Sequence, residues 1–534
     1  MNTTASMNKS APVTVLKSYL AGSWQSGAGE GTRLVNPSTG EPLASASANG
    51  LDLEKAFQYA RKVGGPGLRS MGYGQRAELL GKVADVLAGQ RERWFQIARE
   101  NSGNTKADAA IDVDGSIGTL KYFARAAAKL GNGNTLAGGV PSRLARDANF
   151  QGMHIGVPVD GLALHINAFN FPGWGLWEKA AVSLLAGVPV VSKPATATCW
   201  LAQEMVAAVI NAAILPEGSL SILCGTPPDL LDHLQFGDVV AFTGSASTAE
   251  SIRQHARVRE QGIRVNVEAD SLNAAVLGPD VTADSAILNF FVREVVREMT
   301  SKAGQKCTAI RRILVPADRV NQVEDALNAS LAKIAIGNPS NESVDMGPLV
   351  NSTQRKDVED GIRVLSREAA ISYRPATFRP VDADANSGAF VPPTLMRVGE
   401  NSGDLVHRLE IFGPAATIVP YNSAENAFSI ARRAGGSLAV SVFSDDSNFL
   451  AASATQLGAS HGRVLLVDSS IGDSHTGHGI VLPSLLHGGP GRAGGGEELG
   501  GLHGLWFYHQ RLAVQGSGST LAAIAGHAVN PSQS

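Results

Sequence analysis

The sequence predicts an α/β protein of more than one domain, and three observations carry that prediction. From Gly161 to about Glu268, short apolar runs alternate with amphipathic helical stretches, the pattern of βαβ units and a parallel sheet. A second alternating stretch opens at Ile313-Leu314-Val315-Pro316, with helices near Val320 to Ile334 and Ser423 to Ala434. The 534 residues exceed the roughly 250–300 at which single cores stop growing, so two or three domains are expected.

In chain order, a loose Ser/Thr-rich leader is followed by Tyr19–Trp24 and Leu34–Gly40, short strands separated by turn residues and read as an edge ribbon. From Asp52 to about Leu130, Leu79, Leu80, Val83, Val86 and Leu87 recur at helical spacing, which makes this a helical block. The glycines from Gly131 to Gly139 break it. Phe150 to Asp160 then reads as extended chain in a projecting hairpin, with Pro158 confining it to an edge. Leu162–Asn167, Val188–Lys193, Leu220–Leu223 and Val239–Phe242 are the strands of the first alternating stretch. Ligands of doubly wound sheets sit beyond the carboxyl ends of the strands, so Asn170, Lys193, Gly225 and Thr243-Gly244-Ser245 are the residues to inspect. Thr243-Gly244-Ser245 follows a strand and opens a helix, where free N–H groups can meet a pyrophosphate or where Ser245 simply caps the helix. Lys193 puts an ammonium at a strand end, within reach of ribose hydroxyls or a 2′-phosphate.

Composition narrows the function class. Charged residues make up 17% of the chain and hydrophobic ones 44%, against a usual ~25% charged, which points to much buried surface and an oligomer. A formal net charge of -3 without a long Lys/Arg run argues against nucleic acid. Cys199, Cys224 and Cys307 are odd in number and lack C-x-x-C spacing, so neither a disulfide framework nor a zinc site is expected, and no metal site is found. A reducing cytoplasm fits. No basic segment leads into an apolar core at the start, and no apolar run approaches the ~18 residues of a membrane span, so a soluble, unsecreted protein is expected.

The chemistry is expected at Lys302-Ala303-Gly304-Gln305-Lys306-Cys307-Thr308. Upstream, Ile287, Phe291, Val295 and Met299 recur every four residues with Arg293, Glu294, Arg297 and Glu298 on the opposite side, a helix with one buried stripe that fixes where the thiol points. Gly304 allows close backbone approach, and Lys302 and Lys306 are expected to favour the thiolate by raising the local positive potential. A free cysteine is otherwise a small buried hydrophobe.

Asn170-Phe171-Pro172-Gly173-Trp174, Lys193-Pro194-Ala195, Phe242-Thr243-Gly244-Ser245, Glu268, Gly304-Gln305-Lys306-Cys307 and Glu410-Ile411-Phe412-Gly413-Pro414 together resemble the ordered motif set of the aldehyde dehydrogenase superfamily. The likeness runs from about Tyr19 to Gln515. The stretches His165–Asn170, Glu268–Asn273 and His487–Gly500 resemble a narrower group within it, whose aldehyde is carried on a CoA thioester in aerobic benzoate and aromatic catabolism. The chain length leaves no room for the hydratase domain that a bifunctional member of that group carries.

The resemblance implies a Rossmann-type cofactor domain over 12–142 and 162–277, an α/β catalytic domain over 278–500, and a small β oligomerisation element over 143–161 and 501–522 in a homodimer. It implies that Cys307 attacks the aldehyde to form a thiohemiacetal, that Asn170 and the Cys307 N–H stabilise the oxyanion, and that Glu268 activates the water that clears the thioester. Members that release a CoA ester generally lack this Glu, so its presence implies an acid product. Glu410 and Phe412 resemble the pair that holds the nicotinamide ribose, with Phe169 beside them, and Lys193, Thr196, Thr243, Gly244 and Ser245 complete the expected cofactor contacts. Glu498 relays protons from Glu268, positions it, or caps the glycine-rich loop, and Glu497 beside it leaves the assignment open.

NAD-preferring relatives often carry Glu two positions after the Pro of Lys-Pro-Ala, where it repels a 2′-phosphate. This chain has Thr196 there, so NADP is expected to be preferred, with NAD weaker. The expected substrate is a CoA-linked semialdehyde, 3,4-didehydroadipyl-CoA semialdehyde. The rivals are a dehydrogenase of simple aliphatic or aromatic aldehydes and a catalytically silent dinucleotide-binding protein. A cysteine hydrolase would need a histidine partner, and none of the 12 histidines is identified as one.

Overall fold

The computed structural model describes residues 13–399 and 403–531. Most of the expected leader, and residue 12 at the start of the expected cofactor domain, lie outside the described residues.

In the first sheet, five parallel strands run in the spatial order Arg264–Glu268, Val239–Thr243, Ala163–Ile166, Val190–Lys193 and Leu220–Ile222. The antiparallel hairpin of Ser18–Leu20 and Ser23–Gln25 closes one edge. Leu34 belongs elsewhere, to the strand Thr32–Val35 of a separate three-stranded sheet. The strands read as continuous apolar runs because both faces are covered: Ala163, Val190 and Val239 enter one core, Leu164, Val191 and Val240 the other. The chain steps outward from Ala163–Ile166 to Leu220–Ile222 and then returns to Val239–Thr243 on the other side. A topological switch point therefore lies beside Ala163–Ile166, where such sheets bind ligands. The helical block is Leu53–Tyr59, Gly65–Arg69, Tyr73–Gly89, Arg91–Ser102 and Lys106–Ala128, with Leu80, Val83 and Leu87 turned into the core.

A second sheet of seven strands runs in the order Ala369–Tyr373, Thr394–Val398, Ala415–Tyr421, Ile310–Pro316, Asn273–Leu277, Ser437–Phe443, His461–Val467, parallel except at its first edge. Helix Ala286–Thr300 packs on one face through Ile287, Phe291, Val295 and Met299, as the four-residue stripe requires. The opposite side is not wholly polar surface: Glu294 and Glu298 are buried as well.

The outlying sheet corrects one expectation. Phe150–Pro158 is an interior strand, flanked by His509–Ser517 on one side and by Thr135–Ala137 and Ser142–Arg143 on the other, and Pro158 sits at its last position. Gly501–Tyr508 is a 3-10 helix, and His509–Ser517 pairs antiparallel with Phe150–Pro158 of its own chain over nine residues, a register that satisfies the backbone on that side. Among the described residues no helix is long and apolar enough to cross a membrane.

Candidate active site

Cys307 lies between helix Ala286–Thr300 and strand Ile310–Pro316, behind a turn at Ser301–Gly304. Lys302, Ala303 and Gly304 all take left-handed backbone angles, with φ of 52°, 52° and 69°. Only glycine fits the third position, because a Cβ on Gly304 would stand 2.2 Å from the Gly413 carbonyl oxygen. The turn is clamped from several sides. Arg311 donates to Gly413 O at 2.7 Å and to Gly304 O at 2.8 Å. Gln305 Oε1 accepts from Val350 N at 3.0 Å, and Asn273 Nδ2 donates to the Cys307 carbonyl at 2.8 Å. Asn170 Nδ2 donates to Gln305 O at 3.0 Å, which uses one of the two amide hydrogens and leaves the other for a ligand oxygen.

Glu268 ends the strand Arg264–Glu268 and is brought to the thiol by the sheet. A glycine-rich loop packs on that strand: a Cβ on Gly494 or Gly496 would lie 2.2 or 2.4 Å from Val267 O, and Ala269 N donates to Ala493 O at 3.0 Å. The loop joins the paired strands Leu486–Gly488 and Glu497–Leu499, in which His487 and Glu498 are opposite each other. His487 Nε2 lies 3.1 Å from Glu268 Oε2, and Cys307 Sγ, a Glu268 oxygen and a His487 nitrogen all fall within 4.8 Å of one another. A histidine therefore does stand at the thiol. It escaped the sequence reading because it lies 180 residues from Cys307, in a loop motif that carries no pairing signal.

Electrostatics poise the pair. Burial pushes the Cys307 thiol well above its usual range, and the Glu268 carboxylate beside it pushes the same way. For Glu268, burial raises the pKa, but His487 and the Lys179 ammonium more than offset it and bring it down to about 2. A protonated thiol thus faces an ionised carboxylate, the arrangement in which the carboxylate can take the thiol proton when a carbonyl approaches. Lys306 does draw the thiol pKa down, as expected, but burial and the neighbouring Glu268 and Glu178 outweigh it, and Lys302 is not among the groups that act on the thiol. Lys306 is buried in an ion pair with Glu298 at 2.7 Å, and Lys302 packs 4.6 Å from the Phe171 ring centroid with its N–H bound to Asp108, so the net influence on the thiol is negative.

Behind Glu268, Lys179 Nζ bridges Glu178 at 2.7 Å and Glu498 at 3.1 Å, and Asn266 donates to Glu498 at 3.3 Å. Of the neighbouring acids, Glu498 is buried in the cluster and Glu497 is exposed. Glu178, Lys179, His487 and Asn273 were not singled out from sequence as site residues. Asn273 was within reach, since it closes the Glu268–Asn273 motif.

A dinucleotide fits the residues at the strand ends. Thr243 Oγ1 and Glu410 Oε1 are buried without hydrogen-bond partners, one at the start of helix Ala246–Gln254 and the other beside a ring pair. Ser245 caps that helix through Thr248 N, and Asp270 Oδ1 takes the Ala246 N–H at 2.9 Å. Phe169 and Phe412 meet edge to face at 5.7 Å, and Ser271 N holds Glu410 Oε2 at 3.1 Å. Burial raises Glu410 to about 7. At the ends of adjacent strands, Lys193 is half-buried and the Thr196 and Thr226 hydroxyls meet at 3.1 Å.

Residues 24–510 match the aldehyde dehydrogenase family. The chain belongs to that family. This aldehyde dehydrogenase is 49% identical over 477 residues to 3,4-dehydroadipyl-CoA semialdehyde dehydrogenase of Aromatoleum evansii, covering 89% of the present chain and 93% of the relative. It is 41% identical to Protein MaoC of Klebsiella aerogenes over 190 residues, 35% of this dehydrogenase and 55% of that protein. Its fold matches betaine aldehyde dehydrogenase of Staphylococcus aureus in complex with NAD+, with a TM-score of 0.81 at 23% identity over 94% of each chain.

Proposed function

We propose that the protein oxidises a CoA-linked semialdehyde, 3,4-didehydroadipyl-CoA semialdehyde, to the acid with NADP, through a thiohemiacetal and a thioester on Cys307. The observation that carries the reading is the meeting of Cys307, Glu268 and Asn170 at one turn, joined to a dinucleotide-sized set of strand-end residues. Glu268 takes the thiol proton as the sulfur adds to the carbonyl carbon, while the free Asn170 N–H and the Cys307 N–H receive the oxyanion. The dinucleotide supplies the hydride acceptor when bound. Glu268 gives up the thiol proton toward solvent by way of Glu498 and Lys179, and the restored carboxylate deprotonates a water that attacks the thioester; the water's proton returns to the departing Cys307 sulfur, and the acid product loses its own proton to solvent. The 49% identical relative supports the CoA-linked substrate.

Thr196 supports NADP: together with Thr226 it sets two neutral hydroxyls near Lys193 where a carboxylate would repel a 2′-phosphate. Glu410, Phe412 and Phe169 hold the nicotinamide end. Two copies associate through the sheet built on Phe150–Pro158, and a reducing cytoplasm keeps the Cys307 thiol available. The test follows reduced nicotinamide by absorbance, with NADP or NAD, and with the CoA semialdehyde or simple aldehydes, for the wild type and Cys307→Ala. Highest kcat/KM for the CoA substrate with NADP, lost in Cys307→Ala, is the expected result. Equal kcat/KM for both dinucleotides overturns the cofactor reading, and equal values for simple aldehydes overturn the substrate.

A further inference from the structure

We propose that His487 is a positioning residue for Glu268: its Nε2, 3.1 Å from one carboxylate oxygen and with no other partner, keeps the second oxygen turned to the Cys307 thiol and to the water that follows. The inference rests on the reading of Glu268 as the base, and adds a residue to it. Three features of the structure support it. The ring is fixed, being buried, carried on a strand paired with Glu497–Leu499, and packed against Trp174 with centroids 5.7 Å apart. The chain at Trp174 is itself anchored, since its backbone N–H donates to Asp112 Oδ1 at 2.6 Å. Glu268 Oε1, the oxygen that His487 does not engage, is buried and has no hydrogen-bond partner.

A lone buried carboxylate between a thiol and further carboxylates would otherwise protonate or turn away. The groups facing Glu268 are Cys307, Lys179 and Glu178 on helix Trp174–Ala186, Glu498 on the strand opposite His487, and Arg463 on strand His461–Val467. Lys179 is already shared between Glu178 and Glu498, so His487 is the ring nitrogen donor that faces Glu268 at ion-pair distance. Removing the imidazole lets the carboxyl pKa rise from about 2. Activity that needs the carboxylate is then lost as pH falls through the raised value, whereas the wild-type loss lies far below the assay range.

The experiment compares His487→Phe, which keeps a ring without the charge, His487→Gln, which keeps a donor, and Glu268→Gln, by pH–rate profiles, with dinucleotide affinity and circular dichroism as checks on the fold. The expected outcome for His487→Phe is an unchanged fold and dinucleotide affinity, KM within about threefold, kcat lower by about tenfold or more, and a new acidic limb between about pH 5 and 8. His487→Gln recovers part of kcat. A wild-type profile in His487→Phe, or a loss equal at every pH that Gln does not relieve, overturns the proposal. Full activity in Glu268→Gln instead overturns the reading of Glu268 as the base, so the two failures are separable.

Discussion

Lys306 Nζ stands 2.7 and 2.9 Å from the two carboxylate oxygens of Glu298, with both side chains buried, one residue before the nucleophilic sulfur. The pair fastens the loop to helix Ala286–Thr300, and the Lys306 charge offsets only part of what raises the thiol pKa. Burial raises the Glu298 pKa, but Lys306 outweighs it and holds the carboxyl below its usual value. The pair therefore stabilises the fold above the unfolded carboxylate range, and that contribution is lost on acidification through the lowered value.

Glu298→Ala is accordingly expected to cost about 3–5 kcal/mol, because it strands a buried ammonium. The double change Glu298→Leu with Lys306→Met should recover most of that, since it removes both charges. Urea unfolding of the three proteins checks the prediction, and a single variant as stable as the wild type would refute it.

The thiol of Cys307 is held well above its ordinary pKa by burial and then by Glu268. In the free enzyme, alkylation by iodoacetamide should climb about tenfold per pH unit through the neutral range without reaching a plateau, because only the thiolate reacts. Glu268→Gln removes the negative charge and lowers the thiol pKa, so its curve should level off at lower pH than the wild type. Superimposable curves would mean that Glu268 does not act on the sulfur.

What the sequence shows of this molecule, and what it hides, follows from the range of each interaction. Cys307, Glu268, Lys193 and Thr243 are legible because each sits where a periodic element ends, and strand ends and helix starts are written locally. Whether Glu294 and Glu298 face inward is not legible, since a strict four-residue stripe marks only the centre of a helix buried on more than one side. His487, Lys179 and Glu178 reach Glu268 through contacts spanning 89 residues or more, and nothing local marks them. The same holds for strand Phe150–Pro158: its Pro suggests an edge, but the pairing that makes it interior comes from His509–Ser517 near the far end of the chain.

Glu410 gives a cofactor prediction. Burial lifts its carboxyl to about 7, although Arg311 at 3.7 Å and Ser271 N draw it back. Below that value the group is neutral, above it ionised, and only the ionised form accepts strongly from two ribose hydroxyls. NADP binding should therefore tighten several-fold from about pH 6 to 8. Glu410→Gln should bind more weakly and show no such change. Titration calorimetry at fixed ionic strength reads both, and a wild-type affinity that does not vary with pH would remove Glu410 from the ribose site.

Association can be tested on the outlying sheet. Strand His509–Ser517 pairs on one side only among the described residues, and Leu512 on it and Phe150 on its neighbour are exposed. An unpaired edge next to exposed apolar side chains is a surface that folded chains cover by pairing. If a second copy covers it, solution scattering should give twice the 55.5 kDa chain mass. Leu512→Lys with Phe150→Glu should shift the equilibrium to the single chain. The active site lies in the two larger sheets, so the double variant should keep its rate per Cys307 thiol at concentrations where it is monomeric. A wild-type mass of one chain, or a dimer indifferent to both substitutions, would show that this edge is not the contact.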